Sequence, residues 1–158
     1  MNALADAGIY LAVDVNTPLY SLNQYEPMKS YNAFYLQSVF ATIDAFASYR
    51  NTLLFFSGNE VINKANTTAA APFVKAVTRD MKQYIGERAY RQIPVGYSAA
   101  DVSENQYTMA QYMDCGEDPS RSNFYSLNNY EWCDPSSLTT SGWDTLADQY
   151  KNYSQPVL

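Results

Sequence analysis

The chain has 158 residues, two cysteines, no histidine and a net charge of −6 from 10 basic and 16 acidic side chains. Without histidine there is no Ser-His-Asp or Cys-His nucleophilic machinery and no His-ligated zinc, and two thiols cannot close a four-thiolate metal site. The acidic balance opposes a nucleic-acid or anionic-membrane partner, so any acid–base chemistry falls to carboxylates, tyrosines or lysines.

In chain order, Gly8–Val15 is a short apolar run ending in the polar Asn16-Thr17-Pro18, which predicts a buried strand running into a loop. From Met28 to Arg50, Phe34, Val39, Ile43 and Phe46 recur at helical spacing behind Pro27. A second apolar run, Leu53–Val61, turns abruptly polar at Ser57-Gly58-Asn59-Glu60. Asn66-Thr67-Thr68 has turn and cap character and introduces a helix from Ala69 to Arg88, striped by Phe73, Val77, Met81, Tyr84 and Ile85. Ile93–Ser98 predicts a third strand, Tyr107–Met113 a short helix and Asn123–Trp132 a fourth strand. After a Pro/Ser/Thr/Gly loop, Thr145–Tyr153 predicts a last helix, and Pro156-Val157-Leu158 begins another strand. No run approaches the roughly 18–20 apolar residues of a membrane span, and the first residues lack the pattern of a signal peptide. Most of the 15 tyrosines are expected to be half-buried packing residues with wet hydroxyls.

Strands that alternate with helices and read as continuous apolar runs predict an α/β fold with a parallel sheet. Its two common forms are the open doubly wound sheet and the (β/α)8 TIM barrel. No glycine-rich phosphate turn follows the first strand, and neither GxGxxG nor GxxxxGK[ST] occurs, so nucleotide binding is not expected. In a barrel, the loops at the C-terminal strand ends carry the chemistry. That rule nominates Asp14, Asn59, Glu60, Tyr97, Ser98, Asp101, Tyr130 and Glu131. Carboxylates, amides and aromatics are the tools of glycoside chemistry, in which one carboxyl protonates the leaving oxygen while another attacks or activates water. Aspartates at strand ends, such as Asp14 and Asp101, are more often helix caps or turn formers than catalytic groups.

Leu54-Phe55-Phe56-Ser57-Gly58-Asn59-Glu60-Val61 resembles the Asn-Glu strand end of clan A glycoside hydrolases. Within that clan, Ile93-Pro94-Val95-Gly96-Tyr97-Ser98, Asp114-Cys115-Gly116 and Asn128-Asn129-Tyr130-Glu131-Trp132-Cys133 are similar to the fungal family 72 β-1,3-glucanosyltransferases. So are Phe73-Val74-Lys75-Ala76 and Arg79-Asp80-Met81, and the likeness runs over nearly the whole chain. The resemblance implies a partial TIM barrel covering about strands 3 to 6 and the onset of strand 7. Residues 1–158 are then an incomplete catalytic domain without strands 1–2 and 7–8, since a whole barrel takes about 250 residues. It implies Glu60 as general acid/base, Asn59 on the sugar 2-hydroxyl, Asp14 at the donor site and Tyr130 approaching nucleophile and donor sugar. The retaining nucleophile, in a Phe-Ser-Glu-Tyr-Gly-like stretch, is expected beyond Leu158, which predicts no activity for these residues alone.

The partners implied are β-1,3-glucan donor and acceptor chains. No cofactor, metal, nucleic acid or membrane-spanning segment is expected. Family members pair the equivalents of Cys115 and Cys133 with later cysteines, which implies two free thiols in this chain. The resemblance also implies a place at the outer face of the plasma membrane or in the cell wall, through a lipid anchor. Asn66-Thr67-Thr68 and Asn152-Tyr153-Ser154 fit the N-glycosylation pattern of a secreted parent. A non-catalytic glucan-binding module, keeping cleft aromatics without a nucleophile, is the competing reading.

Overall fold

Parallel strands must return to the same end of a sheet through a crossover, and the amphipathic stretches between the apolar runs supply those crossovers. The computed structural model describes residues 1–130, 135–137 and 139–158. A short helix α1 (Asn2–Asp6) precedes β1 (Leu11–Asp14), α2 (Pro27–Ser30), α3 (Ala33–Phe46) and β2 (Thr52–Asn59). A 3-10 turn (Ala65–Ala70) leads into α4 (Ala71–Glu87), followed by β3 (Val95–Ala100), α5 (Gln106–Asp114), β4 (Tyr125–Asn128) and α6 (Trp143–Tyr150).

The strands lie in the order β1-β2-β3-β4, every neighbouring pair parallel. Each strand adds on the same side as the last, so the sheet lacks the reversal that defines a doubly wound fold. This is an arc of a (β/α)8 barrel, in agreement with the expected fold class. Pro156–Leu158 continue the arc: Tyr125 N–H donates to Pro156 O at 2.9 Å, Leu158 N–H to Tyr125 O at 2.9 Å, and Leu127 N–H to Leu158 O at 3.0 Å. The outer edge of β4 is therefore covered, and among the described residues the open edges of the arc are β1 and the Pro156–Leu158 segment.

Several predicted boundaries shift for local reasons. The single helix expected from Met28 to Arg50 is two, because Asn32 takes extended backbone (φ −143°) and caps α3, its Oδ1 accepting from Tyr35 N–H at 3.1 Å. The cap sets the phase of α3, so Tyr35, Val39 and Ile43 face the core while Phe34 stands 73% exposed. In α4 the buried stripe is Val74, Val77, Met81 and Ile85, with Phe73 and Tyr84 half-buried on its flank. β4 is four residues long, shorter than expected, and the Glu131-Trp132 part of that prediction lies outside the described residues.

Register divides the strand residues between two faces. Phe55, Val95, Tyr97, Ala99, Tyr125 and Leu127 join the helices in the main core, where α4 packs on β2 and β3. The alternate residues, Asp14, Phe56, Gly96, Ser98, Ser126 and Asn128, share the barrel side. There the Phe56 and Phe124 rings meet edge to face at 5.7 Å above Gly96. A Cβ on Gly96 would lie 2.5 Å from Phe124 O and 2.8 Å from its ring, so this contact admits only glycine.

The tyrosines depart from the half-buried expectation in part: Tyr35, Tyr97, Tyr125 and Tyr150 are buried, and the Tyr150 hydroxyl has no hydrogen-bond partner among the described residues. Tyr125, Tyr150 and Tyr153 cluster under α6, and the Tyr125 and Tyr153 hydroxyls donate to Gln106 O and Ala110 O at 2.9 and 2.8 Å. Cys115 is free and exposed, its Sγ 3.1 Å from Lys75 Nζ; Cys133 lies outside the described residues.

Candidate active site

The site is built where β2 ends. Pairing between β2 and β3 shifts register between Phe56 and Asn59, and the next residue, Glu60, has φ +51°. A left-handed backbone is uncommon for a side chain of this size and costs energy, so the surroundings must hold it. They do so at three points. Glu60 N–H donates to Ser98 O at 2.8 Å. Ile62 N–H donates to the Tyr97 hydroxyl at 2.9 Å. Gly58 supplies the room, since a Cβ there would sit 3.2 Å from Val61 and 3.4 Å from the Tyr97 ring.

The Glu60 side chain is gripped from β4. Asn128 Nδ2 donates to Glu60 Oε1 at 2.7 Å and to Asn59 Oδ1 at 3.0 Å, while Ser98 Oγ donates to Asn128 Oδ1 at 2.8 Å. Three adjacent strand ends thus form one chain of hydrogen bonds that fixes the amide and, through it, the carboxylate.

Asp14 is placed from the other side. Its Oδ1 accepts from Asn16 N at 2.9 Å and from Asn16 Nδ2 at 2.7 Å, and Asn16 Oδ1 accepts from the Tyr35 hydroxyl at 2.9 Å. Asp14 is therefore a turn former, as its residue type allows, and it also lines the site. Burial pushes the Tyr35 hydroxyl well above its ordinary pKa, and the nearby Asp14 charge adds to the shift, so Tyr35 stays a proton donor to Asn16.

Asp14, Asn59 and Glu60 line a single cleft of about 540 Å³, together with the β1–α2 loop (residues 15–26). No basic side chain lines it, which suits a neutral, hydroxyl-rich ligand better than an anion. Among the described residues no group of three or more His, Cys, Asp or Glu is placed to hold a metal ion, and no helix is long and apolar enough to cross a membrane.

The other nominated residues fall elsewhere. Tyr130 stands 81% exposed just past β4 and does not line the cleft. Tyr97 is fully buried on the helix-facing side, a correction set by strand parity: its hydroxyl holds the loop after Glu60, and the residue does not line the cleft. Burial raises its pKa strongly. Ser98 orients Asn128. Asp101 accepts from Gln106 Nε2 at 3.2 Å and Asn129 Nδ2 at 2.8 Å, tying α5 to the end of β4. Glu131 lies outside the described residues. Asn128 was not among the nominated positions. Its signal was the polar alternation of Ser126 and Asn128 against Tyr125 and Leu127, which puts both polar residues on the barrel side.

Comparison with known proteins adds to this geometry. The glucanosyltransferase model of glycoside hydrolase family 72 matches residues 1–158. The 1,3-beta-glucanosyltransferase gel1 of Aspergillus fumigatus is 62% identical over 157 residues, which cover 99% of this chain and 35% of the relative. GAS5 of Saccharomyces cerevisiae, a 1,3-beta-glucanosyltransferase, is 54% identical over 158 residues, 99% of this chain and 33% of the relative. The structure of Saccharomyces cerevisiae Gas2p, a Glu-to-Gln mutant in complex with laminaritetraose and laminaripentaose, matches with a TM-score of 0.91 and 38% identity, over 99% of this chain and 35% of that one. The chain spans about a third of the length of the curated relatives it matches.

Proposed function

Since the chain belongs to the glucanosyltransferase family, glycoside hydrolase family 72, we propose that it forms the acid/base side of a retaining β-1,3-glucanosyltransferase. Such an enzyme cuts a β-1,3-glucan chain and passes the released donor to another glucan. The observation that carries the reading is Glu60, held in left-handed backbone at a strand end with its carboxylate on Asn128, in one cleft with Asn59 and Asp14.

In the proposed reaction the Glu60 carboxyl gives its proton to the glycosidic oxygen as the C1–O bond breaks. A second carboxylate, about 5–5.5 Å away, forms the new bond to C1. The acceptor hydroxyl then attacks C1, gives its proton to Glu60 and displaces that carboxylate, so two inversions retain configuration. Asn59 spends its Oδ1 on Asn128, which leaves its Nδ2 to donate to the sugar 2-hydroxyl as the oxocarbenium-like state forms. Asp14, which lines the cleft, contacts the donor sugar, whereas Tyr130 stands outside the cleft lining and would reach that sugar only where a bound glucan extends past the end of β4. The nucleophile belongs on the strand that Pro156–Leu158 open, a placement supported by their pairing alongside β4.

With such a substrate, the proposed location of the protein is outside the cell, at the wall or the outer membrane face. The exposed positions of Asn66 and Asn152, both in glycosylation triplets, support this.

The test incubates the full-length protein with laminari-oligosaccharides and follows products by mass spectrometry. Products longer than the starting oligosaccharide, lost by 10²- to 10⁴-fold in Glu60→Gln, are the expected result. Binding without any longer product would favour the glucan-binding module instead, and a fully active Glu60→Gln would remove Glu60 from its role.

A further inference from the structure

The wall of the cleft opposite Glu60 is made by the β1–α2 loop, and that loop is held rigidly. Thr17 and Tyr20 hold each other, Tyr20 N–H donating to the Thr17 side-chain Oγ1 at 3.0 Å and Thr17 N–H to the Tyr20 backbone O at 2.9 Å. Leu22 plugs into the core. Asn23 Oδ1 accepts the N–H groups of Tyr25 and Glu26 at 2.9 and 3.1 Å, while Asn23 N–H donates to Ser30 Oγ at 2.9 Å, fastening the turn to α2. On this fixed turn Tyr25 lines the cleft with its side chain largely uncovered, the residue being 58% exposed. Beside it Gln24 also lines the cleft, and its Oε1 is shielded from water with no hydrogen-bond partner among the described residues.

We propose that this loop forms a separate sugar-binding subsite, in which Tyr25 stacks on a glucosyl ring one or more units away from the bond being cut and Gln24 accepts a hydrogen bond from that unit's hydroxyls. The proposal rests on the β-1,3-glucan reading and adds to it a residue pair that measures chain length. Three features fit a pyranose. A flat ring held out on a rigid turn offers apolar surface with little ordering left to lose on binding. A shielded amide oxygen without a donor carries an uncompensated desolvation penalty, which a sugar hydroxyl relieves once the amide swings outward. The cleft volume of about 540 Å³ lies in the range that accepts a ligand larger than one hexose.

The test measures calorimetric affinities for laminaribiose and laminaripentaose in the full-length protein, on a Glu60→Gln background that keeps the ligands intact. Tyr25→Ala is expected to weaken laminaripentaose about tenfold and leave laminaribiose within about twofold, while Tyr25→Phe, which keeps the ring, binds both as before. Gln24→Leu is expected to weaken laminaripentaose about fivefold. Unchanged pentaose affinity in Tyr25→Ala overturns the subsite, and so does an equal loss for both oligosaccharides. In either case binding by the parent protein leaves the glucan reading standing. If the parent protein binds neither oligosaccharide, the glucan reading itself fails and the subsite fails with it.

Discussion

Asn128 Nδ2 lies 2.7 Å from Glu60 Oε1 and 3.0 Å from Asn59 Oδ1, so one amide on β4 sets both polar side chains at the end of β2. A general acid must meet its oxygen within hydrogen-bond reach, and an error of about 1 Å in placement can cost on the order of 100-fold. Asn128→Ala is therefore expected to lower kcat by about 10- to 100-fold with a smaller change in KM. Asn128→Asp, which faces Glu60 with a second carboxylate, is expected to lower it further. Asn128 is half-buried, so both variants should melt close to the parent protein. A loss explained entirely by unfolding would remove Asn128 from the site.

Gly96 is the position where the barrel side is tightest. Alanine there would set its Cβ 2.5 Å from a backbone carbonyl oxygen, which cannot yield as a side-chain tip can. Overpacking of this kind costs about 2–3 kcal/mol, or roughly 5–10 °C in melting temperature for a domain of this size. Gly86, in α4, has nothing within 4 Å of its would-be Cβ, and Gly86→Ala is expected to stabilise by about 0.5–1 kcal/mol. Thermal melts of the two variants should move in opposite directions.

Three carboxylates outside the cleft set the response to acid. The Tyr90 hydroxyl, with Tyr84 and Arg88, lowers the pKa of Asp44 despite some desolvation. Burial pushes Asp114 up, but Ser154, Arg121 and Gln155 together outweigh it and leave Asp114 lowered. Lys82 lowers Asp118. A folded-state pKa below the unfolded value, about 3.9 for Asp, means the stabilisation is full above that pH and is lost as pH falls through the folded pKa. Melting temperature should therefore hold between about pH 5 and 7 and drop below about pH 4. Asp114→Asn should start lower at neutral pH and fall less steeply in acid. A parallel curve for that variant would mean its ion pair with Arg121 contributes nothing to the acid limb.

Much of this architecture was legible because parallel strands buried on both faces read as continuous apolar runs, and their alternation with helical stripes leaves few topologies. That Glu60, Asn59 and Asp14 line one cleft could be anticipated because a barrel gathers its C-terminal strand ends at one mouth. What sequence could not resolve depends on register. Tyr97 lies within β3 on the core side, because it shares the helix-facing parity of Val95 and pairs with the buried Tyr125 of β4. Asn128 looks like one more polar residue until β3 and β4 align Ser98 beside it. The break between α2 and α3 turned on one asparagine, whose preference for capping outweighed an otherwise continuous helical stripe. α1 carries no buried residue, so it left no apolar pattern to read.

Retention requires a second carboxylate about 5–5.5 Å from the acid/base. Asp14, the other carboxylate lining the cleft, spends Oδ1 on Asn16, and the proposed nucleophile belongs on the strand that Pro156–Leu158 begin. Residues 1–158 on their own are thus expected to produce no laminari-oligosaccharide longer than the one supplied. Elongation by this polypeptide alone, abolished by Glu60→Gln, would require a nucleophile within these residues.

Tyr35 offers a test of how far from the cleft its geometry is set. The residue lies on α3, almost wholly buried, yet its hydroxyl donates to Asn16 Oδ1, and Asn16 in turn donates to Asp14. Tyr35→Phe keeps the ring and its packing while leaving Asn16 Oδ1 without that donor, so stability should fall by only about 0.5–1.5 kcal/mol. With Asn16 free to turn, Asp14 loses the fixed aim that its proposed contact with the donor sugar needs. KM for laminari-oligosaccharides should rise severalfold while kcat changes less, because Glu60 is held from β3 and β4 by a separate set of hydrogen bonds. Combining Tyr35→Phe with Asp14→Asn provides the decisive measurement. If the hydroxyl acts through Asp14, the double variant should bind no worse than Asp14→Asn alone. Additive losses would mean that Tyr35 serves the cleft by another route.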